Sequence, residues 1–78
     1  MSWNIRQIYH DQVEFPYIAL HEVYYTPTGE IKCFTTEPIQ MVSEDVEGLH
    51  WYVSACTQAL QEPLLIHSDL EQQLKERM

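Results

Sequence analysis

Positive charge is nearly missing from this chain. Arg6, Lys32, Lys75 and Arg77 are its only lysines and arginines, against twelve aspartates and glutamates, and the formal net charge is −8 over 78 residues. Lys32 stands alone between residues 7 and 74. A surface this acidic repels phosphate backbones and anionic lipid, so neither nucleic acid nor a membrane surface is an expected partner. Glycine is almost as scarce. With only Gly29 and Gly48, no glycine-rich phosphate loop can form, and no P-loop, GxSxG or dinucleotide fingerprint is present. Cys33 and Cys56 are the only cysteines and lack CxxC spacing. The first ten residues, MSWNIRQIYH, contain no apolar leader. The thiols are therefore expected to be free, packed as small hydrophobes in a cytoplasmic protein. No stretch approaches the roughly 18 apolar residues of a membrane span.

What the chain does have is apolar and aromatic content, at 45% and 12%, too much for a disordered segment. Its length makes one domain, and a domain so short buries a modest share of its surface, which oligomerisation often supplements. Residues 17–37, YIALHEVYYTPTGEIKCFTTE, read as a β-hairpin. Pro27 presets a type I turn and Gly29 takes the left-handed position that closes it. The turn predicts Thr26 opposite Glu30, Tyr25 opposite Ile31 and Val23 opposite Cys33. One face then carries Tyr17, Ala19, His21, Val23, Tyr25, Ile31 and Cys33. The other carries Ile18, Leu20, Glu22, Tyr24, Lys32 and Phe34. Neither face is cleanly polar, as the exposed side of a half-buried antiparallel sheet usually is.

Trp3 to His10 reads as a first strand, with Trp3, Ile5 and Tyr9 on one side and Ile8 on the other. Residues 39–42 are expected to run irregularly along the sheet toward a helix. Ser43 is the expected N-cap of that helix, Glu44 and Asp45 suit its first turn, and Pro63 stops it after Glu62. Val46, Leu49, Val53, Cys56 and Leu60 form an apolar stripe expected to pack on the sheet. Trp51 points away from that stripe, either as an interface anchor or folded against residues 63–67. Leu64 to His67 reads as a strand or a docked extended segment. Ser68 to Glu71 reads as a capping box opening a short tail helix with Leu70, Leu74 and Met78 on one stripe and Lys75 and Arg77 in its last turn. That tail docks on its own domain, docks on a partner, or frays.

The chemistry-bearing residues form no recognisable motif. His21 and Glu22 open HEVYY, but Tyr25 stands where HExxH needs its second histidine. His10, His21, His50 and His67 lie on separate elements with no zinc spacing. His21 and Cys33 could share a hairpin face, yet the chain has little positive charge to activate a thiol. No catalytic, metal or cofactor residue is assigned, and an enzyme is not expected.

The run His21 to Tyr25, the turn glycine Gly29, the segment Thr35 to Pro38, the helix Ser43 to Leu60 and the apolar tail Pro63 to Leu70 resemble those of small uncharacterised bacterial proteins. That resemblance implies an architecture and no activity. A weaker likeness is to HicB-type antitoxins, which also place a small antiparallel sheet before a helix; their appended DNA-binding segment has no clear equivalent here.

These observations predict an α+β domain over residues 1–67, β-β-β-α, with a three-stranded antiparallel sheet, one long packed helix and a helical tail over 68–78. The leading functional expectation is a protein-interaction or regulatory module that homodimerises or binds another protein through an uncovered sheet face. Leu20, Glu22, Tyr24, Phe34 and Trp51 are the interface candidates. The rival expectations are an acidic inhibitor that mimics nucleic-acid charge, and a small enzyme or ligand binder.

Overall fold

The computed structural model describes residues 2–76. Its elements are β1 (Ser2–His10), β2 (Tyr17–Tyr25), β3 (Ile31–Phe34), α1 (Val46–Ala59), β4 (Leu65–Ile66) and α2 (His67–Glu76). The α+β class agrees with the sequence reading, but the sheet is mixed and has four strands in the order β3-β2-β1-β4. The first three are antiparallel, while Ile8 and Tyr9 of β1 pair in parallel with Leu65 and Ile66. The expected three-stranded sheet is thus corrected by one short strand. Pro63 lacks an N–H and ends the preceding segment. The apolar pair after it satisfies its backbone on the edge of β1 that β2 leaves free.

The hairpin turn forms as its residues dictate. Gly29 N donates to Thr26 O at 2.9 Å and Thr26 N donates to Glu30 O at 2.7 Å. Gly29 sits at φ 88°, in the left-handed region where a side chain is strained. A Cβ there would meet nothing within 4 Å, so Gly29→Ala tests the backbone alone. It should lose about 1 kcal/mol, seen as a lower urea midpoint at unchanged slope.

Beyond Ile31 the predicted pairing fails. Tyr25 faces Ile31, but Tyr24 faces Cys33 and Val23 faces Phe34. Lys32 is the extra residue of a β-bulge. The bulge turns Cys33 outward and Phe34 inward, where its ring meets those of His21 and His67 edge-on at 6.3 and 5.6 Å. A phenyl ring removes more apolar area from water than a thiol does, so the bulged register is the better buried one.

The inner face of the sheet carries Ile8, His10, Ala19, His21, Val23 and Phe34, and α2 lies over it. Leu70 is 1% exposed and completes a core with Ile8 and Val23, both 0% exposed. Tyr25, Ile31, Phe34 and Leu65 surround them. The tail therefore docks on its own domain. Its capping box does not form. The helix already includes His67, and Ser68 gives both its backbone N–H and its hydroxyl to the Asp11 carboxylate, at 3.1 and 2.6 Å. A carboxylate from the β1–β2 loop caps α2 in place of the local serine. Those two hydrogen bonds hold the Asp11 carboxyl below its usual range. Arg77 and Met78, expected to complete the tail, lie outside the described residues.

Helix α1 crosses the outer face, on β1. Its cap is Asp45 rather than Ser43: the Asp45 carboxylate accepts from Gly48 N at 2.8 Å. It ends at Ala59 rather than Glu62, after which the chain tightens through Gln61 N to Gln58 O and Glu62 N to Ala59 O. The larger correction is rotational. Trp51, Ala55 and Ala59, spaced four apart, face β1. There Ile5 is 4% and Ala59 1% exposed. The small alanines let the helix backbone approach the strand. The stripe expected to pack on the sheet points the opposite way, with Val46, Leu49, Val53 and Leu60 all exposed.

Candidate interaction surface and buried histidine cluster

Helix α1 lies over β1 rather than over β2 and β3. Ile18, Leu20, Glu22 and Tyr24 follow one another along the outer face of β2. Ile18 is 56% exposed, while Leu20, Glu22 and Tyr24 are half-buried. The Tyr24 phenol is raised above its ordinary value by partial desolvation and then by the neighbouring Glu22 carboxylate. Trp3 extends the surface toward the helix: its ring lies 6.2 Å from Tyr24 and 5.8 Å from Trp51, and Tyr52 meets Trp51 edge-on at 5.2 Å. A cleft of about 350 Å³ opens between β1 and α1, with Trp3, Ile5, Trp51, Ala55 and Glu62 among its walls.

Four of the five interface candidates are thereby brought to one side of the molecule. Leu20, Glu22 and Tyr24 share the β2 face, and Trp51 stands at its rim against Trp3. Trp51 does not project alone: its ring packs against those of Trp3 and Tyr52. Phe34 is the exception, since the bulge carries it to the inner face. Trp3 and Ile18 are further surface residues on this side. Strand alternation signals both, because Trp3 shares a side with Ile5 and Ile18 with Leu20.

On the inner face three histidines converge that the sequence keeps on separate elements. His10 and His21 are 8% and 1% exposed, and their Nε2 atoms lie 2.9 Å apart. Ala19, between Tyr17 and His21 on β2, leaves room for the His10 ring, which stacks on Tyr17 at 4.5 Å. His67 stacks on the other side of His10 at 5.0 Å and its Nδ1 meets Glu71 at 3.0 Å. The protonation pattern follows from partners. Nδ1 of His21 lies 2.9 Å from Thr35 O, and a carbonyl only accepts, so this nitrogen carries the proton. In the neutral ring Nε2 of His21 is then the acceptor, and His10 Nε2–H donates to it. The pair can accommodate one extra proton, on His10 Nδ1 with the bond unchanged or on His21 Nε2 with a switch of the His10 tautomer. A second would set two N–H donors against each other.

Among the described residues no group of three or more histidine, cysteine, aspartate or glutamate side chains is placed to hold a metal ion. His21 and Cys33 do not meet, because the bulge puts the thiol on the outer face. Arg6 also lies on the inner side, donating to Tyr25 Oη at 3.2 Å and to Pro63 O at 2.8 Å, while its buried Nε has no partner. These bonds tie β1 to the segment leaving α1. Among the described residues no helix is long and apolar enough to cross a membrane. Comparison with protein-family models, curated proteins and solved structures finds no match.

Proposed function

We propose that this protein is an interaction module whose outer sheet face binds another protein. The observation that carries the reading is the row of exposed Ile18 and half-buried Leu20, Glu22 and Tyr24, continued by the Trp3–Trp51 pair. A contiguous apolar and aromatic surface with one carboxylate is the composition of a binding patch rather than of a solvated face. The net charge of −8 favours a partner whose contact surface is apolar at its centre and basic at its rim, since opposite potentials speed encounter. A small cytoplasmic regulatory subunit is the corresponding role.

The test is affinity capture from lysate of the source cells with wild type, Leu20→Glu and Tyr24→Ala side by side. A discrete partner held by wild type should be lost or weakened at least tenfold by either change, as expected where a central apolar anchor contributes about 2 kcal/mol. Capture of the same partner undiminished by both variants would overturn the reading.

A further inference from the structure

The side of α1 turned away from the sheet has a second occupant's geometry written into its spacing. Val46, Leu49, Val53, Cys56 and Leu60 follow one another at intervals of three, four, three and four. This is the a/d spacing of helix-on-helix packing, narrower than the stripe of a helix laid on a sheet. Val46 is 69%, Val53 54% and Leu60 63% exposed. Val42, in the extended segment before the helix, is also 69% exposed. We infer that this surface takes a second copy of the same chain, with α1 packed antiparallel on α1 about a two-fold axis.

Area, shape and charge each point to a second copy. The chain exposes 5797 Å², roughly 800 Å² more than the roughly 5,000 Å² expected of a folded monomer of its mass. A standard interface buries about 800 Å² per partner. The radius of gyration of 13.4 Å likewise exceeds the roughly 11.5 Å of a compact chain of this length. The extents of 41 × 34 × 21 Å describe a flattened body, as one half of a thicker one would be. Two copies of a chain with net charge −8 repel over most of their surfaces, but the accessible residues flanking this stripe within the helix are His50, Tyr52 and Thr57. None is a carboxylate.

The same charges choose the direction. A parallel pair would place Glu44, Asp45 and Glu47 of both copies together. An antiparallel pair keeps the two acidic starts apart and opposes the helix dipoles favourably. The a-to-d register centred on the helix puts Val46 against Cys56 of the second copy and Leu49 against Val53.

This inference does not depend on the sheet-face reading, because it uses the opposite side of α1. Sedimentation equilibrium of the full chain should show a monomer–dimer equilibrium in the micromolar range. Val53→Glu should raise the dissociation constant at least tenfold while leaving far-ultraviolet circular dichroism unchanged. Leu20→Glu should leave the dimer intact even where it abolishes partner capture. In a Cys33→Ser background, Val46→Cys should be locked into a covalent dimer through Cys56 by mild oxidant, and the chain with Cys56 alone should not. A monomer up to about millimolar concentration, a dimer indifferent to Val53→Glu, or ready crosslinking through Cys56 alone would each overturn the proposal.

Discussion

Leu70→Ala is expected to lower the free energy of unfolding by about 3 kcal/mol. The side chain is 1% exposed and meets Ile8 and Val23, which are fully buried. No other described residue of α2 is fully buried. Removing it leaves a cavity over the middle of the sheet and takes from the tail its one buried anchor. Domains of this size are stable by about 5–10 kcal/mol in total, so the loss is a large fraction. The same truncation at Leu60, 63% exposed, should cost under about 0.5 kcal/mol in dilute solution. Urea unfolding of the two variants beside wild type measures both. Equal midpoints would show that α2 does not complete the core.

The second large effect is loss of stability in mild acid. Burial pushes His10 and His21 below the ordinary histidine value of 6.5. For His10 the charges of His21 and His67 act in the same direction and Asp11 acts against it. For His21 the Thr35 carbonyl and Glu37 oppose the shift, and His67 adds to it. The unfolded chain therefore takes up protons near pH 6.5 while the folded chain does not yet. Stability is complete above that pH and declines below it, until the folded histidines titrate. Each histidine protonated only on unfolding adds about 1.4 kcal/mol per pH unit to the decline. Carboxylates titrate mainly below this window, so urea midpoints compared between about pH 7.5 and about pH 5.5 isolate the histidines. Wild type should weaken markedly over that interval, and a His10→Phe, His21→Leu double variant should weaken less. A flat wild-type profile would contradict the buried pair.

Much of the framework was legible in residue order. Pro27 and Gly29 define the turn, Ile8 separates from Trp3 and Ile5 by strand alternation, and Pro63 marks the end of the α1 region. Other features depended on competition that local pattern does not weigh. The bulge at Lys32 arises because burying Phe34 outweighs keeping Cys33 in register. The rotation of α1 is not legible in the sequence because the strongest apolar stripe of the helix is not its inward side. Trp51, Ala55 and Ala59 carry less apolar length yet fit closer to β1. Asp11 replaces Ser68 as the cap of α2 across 57 residues, a distance over which sequence motifs are silent. The histidine cluster is invisible for the same reason, since β1, β2 and α2 must assemble before its rings meet.

The place of β1 in the sheet has a consequence for the order of assembly. The first strand of the chain ends up in the interior of the sheet, and its second neighbour, β4, arrives 57 residues later in sequence, at Leu65 opposite Ile8. The β1–β2–β3 meander closes through short loops and can form early. The parallel edge must wait for a long closure whose entropy cost is met only when Leu70 docks as well. Until then one side of β1 is an open edge, and the β4–α2 unit of a neighbouring chain fits it as well as its own. Refolding at high concentration should therefore be where exchanged, intertwined forms arise, and dilution should be the remedy.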